Sequence, residues 1–212
     1  MQRSRHAAGF TLIEAMVTLG VFAILVAIGV PTMSVWIRNN KVRSATDALQ
    51  TGLRLAQAES LRRSRQVVFA LIANTTTPTA IPLPAVAHGN SWAIWTVPSM
   101  TGEQPQFVQS GDLSSATSNV VVNSNGTAVV CFNSVGRLTN SAGANVTAIT
   151  GGGNACTQPT AGLTPGTAPV QVFGISIPGG DRPLQVTLGL GGQVHMCDPG
   201  VPISDSHPEG CQ

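Results

Sequence analysis

From Phe10 to Ile37 the chain runs for 28 residues with a single charged side chain, Glu14. A helix of that length crosses a hydrocarbon core about 30 Å thick. A secretory signal has a different form, an apolar core of about 7–15 residues closed by a small-x-small cleavage site, and no such site ends this run. Arg3, Arg5 and His6 lie upstream, and basic flanks favour the cytoplasmic side. The pattern predicts a single-pass segment over 10–37 in a bacterial inner membrane, with the body on the far, oxidising side.

Glu14 conflicts with that reading. A carboxylate near the centre of a helix in lipid costs roughly 2.5–3.5 kcal/mol and usually marks a function or a pairing partner. Within one turn of the helix start it can equally reach the headgroups, and the residues alone leave both readings open. Pro31 lacks an N–H donor and is expected to kink or loosen the helix, with Gly20 and Gly29 adding local weakness. Such residues are also simply tolerated in membrane helices.

Beyond the apolar run, Val42, Ala45, Leu49, Leu53 (or Gly52), Ala56 and Ser60 recur at steps of three and four. This spacing predicts an amphipathic helix over 38–66 that buries a narrow stripe. Joined to the first segment, it makes a helix from Phe10 to about Arg65, roughly 84 Å long at about 1.5 Å per residue. Arg38, Lys41, Arg43, Arg54, Arg62, Arg63 and Arg65 all fall in it, against two basic residues and six acids after Gln66. This basic face reads as a solvated one whose membrane-proximal members touch anionic lipid. The alternative is contact with acidic neighbouring subunits or nucleic acid. No charge block of the kind found in nucleic-acid-binding tails is present.

The remainder, 67–212, is expected to be β-rich. With 23 Gly, 14 Pro and 9% charged residues, the chain as a whole lacks the make-up of a helical enzyme. Strands are predicted at 66–73, 91–97, 119–122, 127–132, 169–177, 182–190 and 192–196, where β-branched and aromatic residues gather. Loops are predicted at 74–90, 98–118 and 139–168. Two antiparallel sheets packed on the end of the helix follow from this arrangement. Trp92 and Trp95, three apart, belong to opposite faces of their strand and form no stacking platform.

Cys131, Cys156, Cys197 and Cys211 match no zinc spacing, and an even count outside the cytosol favours disulfides. Short loops favour Cys131–Cys156 and Cys197–Cys211, although four cysteines allow three pairings. No metal site is expected. Ser204-Asp205-Ser206-His207 holds the letters of a catalytic triad, but triads assemble in space, and this stretch reads as a Pro-flanked tail. No phosphate-binding loop, GxSxG or HExxH occurs.

Gly9-Phe10-Thr11-Leu12-Ile13-Glu14, behind its basic leader, resembles the prepilin signal of type IV pilins and type II secretion pseudopilins. The resemblance implies a leader at 1–9, cleaved between Gly9 and Phe10 by a membrane prepilin peptidase, and N-methylation of Phe10. It also implies an assembly role for Glu14, whose carboxylate meets the Phe10 amine of an axially staggered neighbour in a fibre. The pair neutralises two charges that are each costly in apolar surroundings. Losing Arg3 and Arg5 leaves nine basic and nine acidic side chains.

The stretches "RNNKVRSATDALQTGLRLAQAESLRRSRQVV" and "VCFNSVGRLT" extend the resemblance to minor pilins and pseudopilins of the FimT/FimU/GspH family. That family implies the α+β type IV pilin fold, with a long N-terminal helix packed on two antiparallel β-sheets. It implies a non-enzymatic subunit without cofactors, placed at or near the tip of a pilus fibre, where minor pilins prime assembly. The implied partners are other minor pilins, the major pilin and an inner-membrane assembly platform. One alternative is a pseudopilin of type II protein secretion, and another is a DNA-binding minor pilin. Some members bind DNA through Gly-Arg-x-Arg near the C-terminus. Here the position reads Gly192-Gln193-Val194-His195, without the cations on which phosphate affinity depends. Gly136-Arg137-Leu138-Thr139 keeps one arginine. Arg137 and His195 are thus low-ranking DNA contacts, His195 gaining charge only in acid, and nucleic acid is the less favoured partner.

Overall fold

The computed structural model describes residues 10–73, 81–82, 85–100, 102–113, 119–124, 128–140, 146, 148–149, 156 and 171–211. Residues 1–9, and with them the expected leader and Gly9, lie outside this set. Among the described residues, helix α1 spans Leu12–Arg63 and is followed by nine strands: β1 Val67–Ile72, β2 Ser91–Thr96, β3 Gln106–Asp112, β4 Val121–Ser124, β5 Val129–Phe132, β6 Gln171–Ser176, β7 Leu184–Leu188, β8 Val194–Pro202 and β9 Gly210–Cys211. The chain divides into two units, Met1–Ile37 and Arg38–Gln212. The division coincides with the end of the apolar run.

Local chemistry sets both ends of α1. At the start, the Thr11 carbonyl accepts the first helical bond from Ala15 N–H at 3.2 Å, and Thr11 Oγ1 accepts from Glu14 N–H at 3.3 Å. Thr11 is therefore the N-cap. At the far end Ser64 takes φ 49°. Its N–H donates to Leu61 O at 3.2 Å, and Arg65 N–H donates to Ser60 O at 3.1 Å. These two bonds make a Schellman cap with Ser64 in the left-handed position usually held by glycine. The helix thus stops at Arg63, short of the expected Arg65, and only 38–63 of the predicted amphipathic segment 38–66 is helical.

In the second unit the predicted stripe is buried: Val42, Ala45, Leu49, Leu53, Ala56 and Ser60 are all almost wholly excluded from solvent. It joins one apolar core with the inner faces of two sheets. The first sheet has the order β3-β2-β1-β5, and the second β4-β6-β7-β8-β9. The β1–β2 register pairs Phe69 with Ile94 and Leu71 with Trp92, while β6–β7 pairs Phe173 with Val186. Among the described strands all pairings are antiparallel except the short parallel β8–β9 pair, so both sheets are antiparallel-rich, as expected.

A second core lies on the other face of the first sheet. Val68, Ala70, Ala93 and Trp95 pack there with Val146, Ile149 and Cys156. This explains why every residue of β1 is buried and why it reads "VVFALI" without alternation. Strand β6, covered on one face, alternates instead. Trp92 and Trp95 occupy the two different cores, as the alternation requires. Trp92 stacks on Phe69 with ring centroids 5.8 Å apart, and Trp95 meets Phe107 edge-on at 5.6 Å.

Three other expectations change. The predicted loop 98–118 contains β3, a polar strand at the sheet edge. The strand expected at 192–196 continues to Pro202. The supposed tail returns as β9, paired to Asp198 and Pro202. Most of the predicted loop 139–168 lies outside the described residues.

Candidate functional site

The N-terminal half of α1 presents its apolar side chains openly. Phe10 is 84% exposed, and Leu12, Ile13, Phe22, Leu25 and Ile28 are exposed beside it along the same segment. This is the one helix among the described residues long and apolar enough to cross a membrane. Added methyls at Gly20 and Gly29 would meet nothing within 4 Å. The helix runs continuously through Pro31.

Glu14 sits in the first turn, exposed, four residues after Phe10. Thr11-Leu12-Ile13-Glu14 has the spacing of a capping box, with Thr11 as N-cap and the acidic residue three positions on. A carboxylate here also meets the positive end of the helix dipole, which stabilises it by about 0.3–1 kcal/mol. The expectations for Glu14, a carboxylate reaching the headgroups or one that sets assembly register, did not include this local position, although the T-x-x-E spacing signals it. Phe10 and Glu14 together place an exposed aromatic ring and a carboxylate at one end of an exposed apolar helix.

Both disulfides join near neighbours in sequence. Cys131–Cys156 has a Cα–Cα distance of 5.6 Å and Cys197–Cys211 one of 5.0 Å. The first ties residue 156 to β5 in the second core, and the second closes the β8–β9 return. No group of three His, Cys, Asp or Glu able to hold a metal ion occurs among the described residues.

Arg137 and His195 are both exposed, the first in the turn after β5, the second on β8 opposite Thr187. The Asn133 side chain shapes that turn, its Oδ1 accepting from Val135 N–H at 3.1 Å and Arg137 N–H at 3.0 Å. The turn abuts the β7–β8 hairpin: Leu138 N–H donates to Leu190 O at 3.2 Å. Gln57 of α1 closes the junction by donating to Gly136 O at 2.9 Å. Gly192, at φ 85°, lies where any Cβ would strike that oxygen and the Gln57 amide. Arg137 therefore stands on a turn that abuts the β7–β8 hairpin, and His195 on a strand of that hairpin.

The triad-like letters near the C-terminus form a turn. Ser204 and His207 exchange backbone hydrogen bonds at 3.2 and 3.0 Å. Ser204 Oγ accepts from His207 N–H at 3.1 Å, whereas the imidazole Nδ1 pairs with Glu209 at 3.1 Å. The serine hydroxyl thus does not meet the imidazole. The Glu209 carboxyl is held below its usual range by a backbone N–H and then by His207.

Most of the basic face is spoken for inside the body. Glu59 accepts from Arg62 at 2.9 and 2.7 Å and from Arg63 at 2.7 Å. These guanidiniums lower its pKa to about 2. Arg65 pairs with Glu103, whose carboxyl is held down first by Ser99 N–H and then by Arg65. Arg54 reaches Val194 O at 3.5 Å.

Residues 4–30 match the prokaryotic N-terminal methylation motif, and residues 45–192 match the family of the type II transport protein GspH. No curated protein matches the chain. Among solved structures it is similar to the type IV minor pilin FimU of Pseudomonas aeruginosa strain PAO1 in two crystal forms. In one the identity is 14%, covering 80% of this chain and 98% of that one, with a TM-score of 0.49. In the other the identity is 14%, covering 76% and 98%, with a TM-score of 0.45.

Proposed function

Since the chain belongs to the GspH family and carries the N-terminal methylation motif ahead of that match, we propose that it is a minor pilin, built into a type IV pilus fibre at or near the tip, where it primes assembly. The observation that carries this reading is the exposed apolar helix with Glu14 in its first turn. Such a helix needs a bilayer or a bundle of like helices around it, and a pilin subunit uses each in turn.

The steps follow from charge. Prepilin peptidase cuts after Gly9 and frees the amine of Phe10, which stays cationic once methylated. In the fibre that amine meets Glu14 of a staggered neighbour, so each removes the other's unpaired charge from apolar surroundings. Glu14 then sets register, because an unstaggered neighbour leaves it unmet. Pro31, with no N–H to give, lets the helix loosen as it leaves lipid for the bundle.

The test uses the full chain co-expressed with the peptidase and pilus machinery. Mass spectrometry of the mature protein is expected to show Phe10 as the first residue, one methyl group heavier. Glu14→Ala is expected to insert in the membrane normally and to be depleted from sheared filaments. Undiminished recovery of that variant in the filaments sinks the register role. The name of the matched family favours a second reading, a pseudopilin in type II secretion. Loss of secretion rather than of pili on deleting the gene selects it.

A further inference from the structure

Four cations stand apart from the internal pairs at the foot of the body. Arg54, Arg62, Arg63 and Arg65 are all engaged as described, whereas Lys41, Arg43 and Arg182 bond to no described side chain or backbone group. Arg38 donates to Gly179 O at 3.0 Å and Asn39 Nδ2 to Asp181 Oδ1 at 2.6 Å. Those two bonds hold the β6–β7 turn against α1. Gly180 N–H donates to Ile177 O at 3.0 Å, and Gly179 sits at φ 74° after Pro178, the pattern of a type II turn. Arg182, exposed and two residues past this turn, directly follows Asp181, which Asn39 holds. Arg38 and Arg182, distant in sequence, are thus brought into one basic collar.

The height of the collar suits a single environment. Arg38 to Arg43 rises about 7.5 Å along a helix. A headgroup layer is about 5–7 Å deep on each side of the hydrocarbon. Arg38 directly follows the apolar run, so a helix that leaves lipid at Ile37 delivers these cations into that layer. The nearby acids are Asp181, which accepts from Asn39, and Asp47, one turn beyond Arg43.

We propose that Lys41, Arg43 and Arg182, ordered around Arg38, bind anionic phospholipid headgroups and hold the subunit in the membrane until assembly withdraws it. The proposal rests on the membrane-spanning reading of residues 10–37. Each Lys or Arg at an anionic surface contributes about fivefold in affinity.

The test places the full chain in detergent micelles with equal phosphatidylglycerol and phosphatidylethanolamine and counts retained lipids by native mass spectrometry. The wild type is expected to retain phosphatidylglycerol about a hundredfold over phosphatidylethanolamine, a preference that falls as salt rises. The Lys41→Gln, Arg43→Gln, Arg182→Gln triple variant, which spares Arg38 and its turn, is expected to retain the two equally. Equal retention by the wild type, or an undiminished preference in a triple variant with both disulfides formed, overturns the collar. The salt dependence of the wild type decides the matter even where the triple variant fails to fold. Flotation on phosphatidylcholine vesicles separates the two readings. A chain that does not float refutes the membrane helix, and one that floats without preferring phosphatidylglycerol refutes only the collar.

Discussion

Gly52→Ala is expected to destabilise the body, against the ordinary preference of helices. Alanine gains about 0.8–1.0 kcal/mol over glycine inside a helix. At position 52, however, an ideal Cβ would lie 2.8 Å from Trp92 Cε2 and 3.0 Å from two further ring atoms. The ring has no room to retreat. Its cross-strand partner on β3 is Gly111, whose added Cβ would meet the same indole, and Phe69 stacks on it at 5.8 Å. Overpacking of this kind costs about 1–3 kcal/mol. Contacts this close with three ring atoms put the cost in the upper part of that range, so the net loss is about 1–2 kcal/mol, or roughly 2–8 °C in Tm for a chain of this size. Thermal unfolding of the full chain in detergent, followed by far-UV circular dichroism, reads it. Gly29→Ala, where the methyl meets nothing, is the control and is expected to cost no stability. A double-mutant cycle of Gly52→Ala with Trp92→Phe should show a coupling of about 1 kcal/mol, because the smaller ring makes space. If Gly52→Ala melts at or above the wild type, the packing argument is wrong.

Ser64→Gly is expected to stabilise by about 1 kcal/mol, since the left-handed conformation at φ 49° costs a residue with a Cβ about that much; an unchanged denaturant midpoint contradicts this. For Glu59, the folded pKa of about 2 lies below its ordinary value, so the ion pairs contribute fully above about pH 4.5 and are lost as the pH falls through about 2. Because Arg62 is largely exposed, the expected loss over that window is discounted to about 1 kcal/mol. Glu59→Gln should remove this component of the acid transition, and an identical pH profile for the variant refutes the assignment.

The helix was legible because its information is local. Val42 to Ser60 repeat at helical spacing, and the burial of that stripe follows from the repeat. β1 and β2 were legible for their continuous apolar runs. β3 was not: "QFVQSGD" is a sheet edge whose residues are only partly covered, so it carries little apolar signal. The cap over the outer face of the first sheet was hidden too, since Val146 and Ile149 stand singly in a Gly/Ser/Thr-rich stretch. Among the site residues, spacing exposed Glu14 as an anomaly, while its place in a capping box needed the helix start. The partners of the arginines could not be foreseen, because Glu103, Gln106 and the carbonyls of Gly179 and Val194 come from distant strands and turns.

The meeting of Gln57, Gly136 and Gly192 has a temporal side. Gln57 is 79 residues from the carbonyl it binds, and the glycine that makes room for the bond comes later still. Loops of that length close slowly. On the proposed route across the membrane, α1 therefore emerges long before the strands that cover its stripe. On that route, until the later strands have crossed, the helix carries an incompletely covered apolar seam. An escort or a protease acting at that face has its opening there, and folding of the body ends it.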